Sequence, residues 1–384
     1  MHSPPVSQTA QATNAISAPR PRWPGLDGLR GVAILLVFGF HLPVEVFGAG
    51  SYGVTVFFVL SGFLITTILL DELRVKERLE LRWFYGRRAA RLIPALLLVT
   101  LGHLVLQFTV LGQPERWWDR TWPVLAYIAN LATVNGTDLV HMRHTWSLAI
   151  EEHFYLLWPV ILIAIKARWR LGAAWLLTII FACWRLALLL LGSDNIRVAF
   201  STDTNAFALF LGCALAISHF ERPQLQLGRN VSALSIGSIL IASNIPWHFA
   251  DRRLLYLTIP VAALAAIATW AAISTPTPFL MNPVLQWFGR ISYGLYLWHF
   301  VLISMPWERL PLPPIAPMIL APIAVATASY YLMEVPILSW WRRFELNRRT
   351  PTSPSLGGRS FQLASPVGGL QPVTADSREA IRIE

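Results

Sequence analysis

The sequence predicts an all-α, polytopic integral membrane protein of about ten transmembrane helices with both termini cytoplasmic. Three observations predict it. Of the 384 residues, 55% are hydrophobic and only 14% are charged, with mean hydropathy +0.51. That leaves too little polar surface to cover a water-soluble core. Apolar runs of roughly 20 residues, the length that crosses a bilayer, recur between Gly31 and Glu334. The basic excess, a net charge of +10, falls mainly in short loops on alternate sides of those runs, as positive-inside sorting produces.

Taken in order, the first run, 31–47, follows Arg20, Arg22 and Arg30, and the second, 52–70, leads to the cluster between Arg74 and Arg91. The third, 92–111, opens onto a loop with Arg116, Arg120 and Arg143; within it 122–131 is apolar but too short to span, so it reads as a re-entrant or interfacial piece. The fourth, 146–165, ends at Lys166, Arg168 and Arg170, and the fifth, 171–191, at a loop with Arg197. The sixth, 201–218, returns to Arg222 and Arg229, and the seventh, 231–245, runs toward Arg252 and Arg253. The eighth and ninth, 254–273 and 284–304, bring the chain to Arg309, and the tenth, 315–334, ends before a tail rich in arginine from Arg342. Counting 122–131 as a full span would place Lys166–Arg170 outside and weaken the charge bias, which favours ten spans.

The domain reading is a disordered N-terminal tail over 1–23, a transmembrane domain over 24–343 and a disordered C-terminal tail over 344–384, the tails being rich in Ser, Pro, Ala or Gly. No secretory signal is read at the N-terminus. No aromatic-interleaved basic patch argues for nucleic acid, so none is expected as a partner; the partner is the lipid bilayer. Cys183 and Cys213 lie inside apolar runs with neither zinc-ligand nor CxxC spacing and read as packing residues; no metal site is expected.

An ionisable residue inside an apolar span is a functional hypothesis by default, because its burial is costly unless it is paired or lines a wet cavity. Four constellations meet that description. Asp27 and Arg30 precede His41, and Arg30 and His41, eleven residues apart, share one helix face about 16 Å apart along the axis. That places Arg30 at the cytoplasmic mouth and His41 near mid-bilayer, where a histidine serves as base or nucleophile; a topology anchor and an interhelical bond are the plain alternative. Arg88 and Arg91, at i and i+3, point one way and suit phosphate, although inner loops collect arginines in any case. His144, Ser147 and Glu151 fall on one stripe at the outer start of the fourth run, with Glu152 beside them; a solvated cap is the competing reading. Tyr293 and His299 in the ninth run and Glu334 closing the tenth complete the set, with Arg185 and Arg290 read as partners for such carboxylates.

These residues fall within six segments: GLDGLRGVAILLVFGFH, GVTVFFVLSGFLIT, FYGRRAARLIP, HTWSLAIEEHFYLLWP, WFGRISYGLYLWH and SYYLMEVP. In this order, from Gly25 to Pro336, the chain resembles the membrane acyltransferase-3 family, whose members O-acylate surface polysaccharides, peptidoglycan-associated sugars, glycolipids or macrolides. The resemblance implies about ten helices and an O-acyltransferase of the bacterial cytoplasmic membrane, with acyl-CoA as co-substrate and no bound cofactor. It implies a carbohydrate, glycolipid or macrolide acceptor. It makes His41 catalytic with Arg30, and places Arg88 and Arg91, with Arg30, on the acyl-CoA donor. Glu151 or Glu152 is expected to orient a histidine, and Asp27, His144, Ser147, Glu152, Tyr293, His299 and Glu334 to support the acceptor side. Two departures stand out: Asn205 and Phe207 replace an arginine and an acid, and His153 replaces a glutamine after Glu152. The rival from another class is a secondary transporter or flippase, which also needs buried charge; the lack of an evident internal repeat weighs against it.

Overall fold

The computed structural model describes residues 23–43, 47–111, 117–245, 251–309, 311 and 313–349, with side chains through Glu345. All regular structure among the described residues is helical. The tail segments 1–22 and 350–384 lie outside the described residues.

Helix α1 (Pro24–His41) starts seven residues before the expected span and stops at His41. Pro24 suits the first turn, where its missing N–H has no partner to lose, and Asp27 places a carboxylate at the positive end of the helix dipole. Leu42 is extended because Pro43 follows it. Arg30 thus lies about 9 Å from the start of the helix, and His41 is its last residue.

Helices α2 (Tyr52–Lys76) and α3 (Leu81–Leu106) follow, the latter closed by a π turn, Gln107–Leu111. Arg82–Arg91 are thus helical rather than a loop. The apolar stretch expected to be too short breaks into α4 (Trp117–Leu125) and α5 (Ala129–Val134), neither long enough to cross a membrane. A 3₁₀ turn, Val140–Thr145, leads into α6 (Trp146–Ala164), and α7 (Arg170–Leu190), α8 (Asn195–Phe200), α9 (Thr202–Glu221), α10 (Arg229–Ser243) and α11 (Arg252–Ser274) come next. Helix α12 (Pro283–Ile303) precedes α13 (Ile315–Ser329), a π turn over Tyr330–Glu334, and α14 (Val335–Arg349). Pro336 accounts for that π turn, since its ring crowds the carbonyl four residues back. Helix α14 continues through Arg349, beyond the point where a disordered tail was expected to begin.

Seven helical stretches among the described residues are long and apolar enough to cross a membrane. Each of the ten expected spans is helical, but α10 has only 15 residues, and neither α1 nor α12 meets that measure. The last two are the pair most extensively packed against one another, and most of their residues are buried. Helices α3, α7 and α13 lie further out, with exposed apolar residues such as Leu97, Leu101, Ile179 and Leu320.

Helices α1 and α12 run parallel because glycine lets their backbones touch. A Cβ at Gly31 would sit 2.1 Å from the Leu285 carbonyl oxygen, and one at Gly289 would sit 1.9 Å from the Asp27 carbonyl oxygen. Only glycine fits either place. At one end of the bundle Arg87 pairs with Glu345 of α14 (2.7 Å) and Glu72 of α2 (3.4 Å), and Lys76 bridges Glu72 and Glu80. We call this the basic end. The opposite, histidine end holds the last residue of α1 and the first turns of α6 and α9.

Arg185 departs from the expected carboxylate pairing. Fully buried on α7, it donates to the carbonyls of Leu255, Val198 and Thr204 and to Asn205 and Thr258, tying α7 to α8, α9 and α11. Asp203 instead takes Arg197, with contacts of 2.8 and 2.5 Å, and the indole N–H of Trp184. Cys213 is buried and Cys183 exposed; both are free.

Candidate active site

The functional side chains collect at two levels. At the histidine end, the ring of His41 lies 5.0 Å from His299 of α12, and the ring of His299 lies 5.2 Å from His144 of the 3₁₀ turn. Phe300 packs on both His41 (5.0 Å) and His144 (5.6 Å). A carbonyl only accepts, so the backbone sets the tautomers. His41 donates through Nδ1 to Val37 O (2.8 Å), and His299 through Nδ1 to Tyr296 O (2.7 Å), leaving each Nε2 with a lone pair. His299 Nε2 is buried with no hydrogen-bond partner. His144 holds Leu297 O through Nε2 (3.2 Å). His299 and His144 are buried, whereas His41 is partly buried.

Tyr296 braces this cluster. Its hydroxyl donates to His144 O (2.7 Å), so the 2.5 Å contact with Ser147 has the serine as donor. Ser147 therefore reaches His144 through Tyr296 and the main chain.

The second level lies one helical segment closer to the basic end. Arg30 donates to Ser292 Oγ of α12 (3.0 Å). Glu151 accepts from Ser61 of α2 (2.9 Å) and from the Tyr155 hydroxyl (2.8 Å), whose oxygen lies 3.0 Å from Ser61 Oγ. The Arg88 guanidinium stacks 3.8 Å over the Tyr155 ring, so Glu151 positions Arg88 through the phenol. Arg91 lies within electrostatic reach of Arg30, Arg88 and Glu334, and Glu152 within reach of Arg88 and Glu151. Tyr293 donates to Leu92 O (2.9 Å), fixing α12 beside the Arg91 turn. Three arginines thus face three carboxylates, yet no ion pair within 4.0 Å joins any of Arg30, Arg88 and Arg91 to Glu151, Glu152 or Glu334. Arg91 and Glu151 are each partly buried, and among the described residues neither takes the other's kind as an ion-pair partner. Arginines so arranged offer N–H groups to an anionic ligand.

A family model for the acyltransferase domain matches residues 23–334, most of the chain. The chain belongs to this acyltransferase family. The match contains both levels of the site and ends at Glu334. The acyltransferase is 32% identical over 359 residues to the YrhL protein of Bacillus subtilis, covering 82% of this chain and 54% of that one. It is 32% identical over 349 residues to the peptidoglycan O-acetyltransferase OatA of Listeria monocytogenes, covering 82% and 55%. To the O-acetyltransferase OatA of Staphylococcus aureus it is 30% identical over 361 residues, covering 83% and 57%. The chain thus spans about half the length of the curated relatives it matches. No solved structure matches it.

The residues singled out from sequence separate as follows. His41, His144 and His299 form one cluster, with Ser147 at one remove. Arg30, Arg88, Arg91, Glu151, Glu152, Tyr293 and Glu334 form the other. Asp27 is half-buried in the first turn of α1 with its carbonyl against Gly289. The stripe from His144 to Glu151 is divided between the two levels, and Glu151 bonds Ser61 and Tyr155 rather than a histidine. Ser61 and Tyr155 escaped the sequence reading because hydroxyls are common in apolar helices. His103 and His141 escaped too. Their rings lie 5.9 Å apart, and Thr100, His103 and Gln107 make an i, i+3, i+7 polar stripe on α3 that helical periodicity could have revealed.

Proposed function

We propose that this acyltransferase moves an acetyl or other short acyl group from acyl-CoA to a hydroxyl of a carbohydrate-type acceptor, across the cytoplasmic membrane of a bacterium. In this reading the basic end faces the cytosol. The observation that carries it is the pairing of two levels: arginines without ion-pair partners at one depth, and an imidazole lone pair about 16 Å further along α1. A donor with phosphates at one end of a long arm and a thioester at the other fits that separation. Arg88 and Arg91 hold its phosphates, with Arg30 further along the same path.

The chemistry then follows. The acceptor hydroxyl gives its proton to His41 Nε2 as its oxygen attacks the thioester carbonyl. The C–S bond breaks, and the CoA thiolate leaves with the proton returned from the imidazolium. His41 Nδ1–H remains on Val37 O throughout, so the ring keeps its orientation. His299 and His144, both buried, seat the His41 ring rather than touching substrate. The names of the Bacillus and Listeria relatives make peptidoglycan sugars the first acceptors to try.

Purified protein in nanodiscs, given radiolabelled acetyl-CoA and peptidoglycan fragments, tests this directly. Label is expected on a glycan with the wild type and not with His41→Ala. Full transfer by His41→Ala would remove His41 from the chemistry. Absence of transfer from every acyl-CoA and acceptor tried, with nucleotide-independent uptake of an envelope precursor, would favour the transporter reading.

A further inference from the structure

Helix α14 begins one residue after the family match ends, yet it packs on the turn of α3 that carries the donor arginines. Two of its residues make the contact, Trp341 and Glu345, four apart and so on one face. The Trp341 ring lies against Gly86, where a Cβ would sit 2.4 Å from Cζ2 and 2.6 Å from Cη2 of the indole. Buried Glu345 accepts from Arg87 at 2.7 Å, and Glu72 of α2 takes the same guanidinium at 3.4 Å. Trp83 adds its ring to those of Trp341 and Phe344, with centroids 6.2 Å apart in both pairs.

Trp83, Gly86 and Arg87 stand at i, i+3 and i+4, so one face of α3 is given over to α14. Arg88, about 100° further round the helix, turns instead to α6 and stacks over Tyr155. The turn is thus gripped from two sides, by α14 and α2 through Gly86 and Arg87, and by α6 through Arg88. Glu334, the last residue of the π turn that leads into α14, lies within electrostatic reach of Arg91, one turn further on. The segment from Glu334 to Glu345 therefore presents one carboxylate to Arg87 and another toward Arg91, on either side of Arg88.

Such a grip does more than anchor a helix at a membrane surface. An anchor needs only aromatic and basic side chains at headgroup level, as exposed Trp340 supplies. Burying Glu345 against an arginine costs desolvation, so the pair fixes geometry more than it adds stability. We propose that α14 is a brace for the donor site, in which Glu345 and Trp341 set the turn of α3 from which Arg88 reaches the phosphates of the acyl donor. Both are positioning residues and touch no substrate. The proposal rests on the acyl-transfer reading above and adds to it a control on donor affinity.

Acetyl-CoA titration and steady-state transfer by the full chain in nanodiscs test it. Glu345→Gln should raise both the Kd and the KM for acetyl-CoA about tenfold, the loss of one charge-assisted contact at Arg88, with kcat unchanged. Gly86→Ala should do the same by displacing the indole. Adding Trp341→Phe to Gly86→Ala, whose smaller ring makes room for the new methyl, should restore most of the affinity. A helix needed only for folding would lower the thermal midpoint without that split between KM and kcat or that rescue. Wild-type affinity in both Glu345→Gln and Gly86→Ala, or a loss confined to kcat or to the midpoint, would overturn the proposal. Absence of acetyl-CoA binding by the wild type would overturn the donor reading along with it, whereas wild-type binding with unaltered variants overturns the brace alone.

Discussion

Adding one methyl group at Gly289 should disable the acyltransferase without touching any charged residue. A Cβ there would lie 1.9 Å from the Asp27 carbonyl oxygen, and ordinary contact begins at 3.4 Å. Neither atom is the end of a flexible side chain, so α1 and α12 must separate by about 1.5 Å at that turn, a shift that packed helices resist. The hydrogen bond from Arg30 to Ser292, now 3.0 Å, lies one turn away and breaks. A bond to a charged donor is worth about 1.5–3 kcal/mol. The displacement also carries along α1 to the His41–His299 contact, and a misplacement of about 1 Å costs on the order of a hundredfold in rate. Gly289→Ala should therefore lower kcat for acetyl transfer about a hundredfold and lower the thermal midpoint. Gly237→Ala is the control: nothing lies within 4 Å of a Cβ there, so the change should be neutral or stabilise α10 by about 0.5–1 kcal/mol. Wild-type turnover and midpoint in Gly289→Ala would refute the argument that this helix contact aligns the two levels.

Three other perturbations probe separate links. Arg88→Lys keeps the charge but loses the flat face that stacks on Tyr155, so the KM for acyl-CoA should rise about tenfold while the protein stays folded; an unchanged KM would detach Arg88 from the donor. Tyr155→Phe removes one of the two donors to Glu151 and should cost about 1–3 kcal/mol in thermal or denaturant unfolding. The same variant should raise the acyl-CoA KM, and a change in stability alone would make Tyr155 merely structural. Arg185→Met strips three carbonyls and two side chains of their donor, so it should cost at least about 3 kcal/mol, read as a lower midpoint in detergent. If the midpoint holds, the guanidinium is not the tie between α7 and its neighbours.

Much of this architecture was legible in the chain itself. Runs of about 20 apolar residues, broken by basic loops, determined that the protein is helical and crosses a membrane, because a helix of that length satisfies its own backbone across a bilayer whereas barrel strands are half as long. The spacing of Arg30 to His41 and of Arg88 to Arg91, with six ordered segments, pointed to the acyltransferase family. Span limits were legible only within several residues, since Pro24, Asp27 and Pro43 shift α1 toward the N-terminus by local effects that hydropathy does not weigh.

Which groups meet was decided by the tertiary structure. Glu151 turns to Ser61 and Tyr155 rather than to a histidine, and Arg185 to carbonyls rather than to an acid, because packing brings in partners from other helices, Ser61 lying 90 residues from Glu151 and Leu255 70 from Arg185. Glycine shows how the two are connected. Gly31 and Gly289 are visible in sequence as small residues, but only the packed fold shows that each lies against the other helix's backbone. That contact holds α1 and α12 in parallel register and sets His41 beside His299, because side chains at the end of a helix go where its closest backbone contact allows.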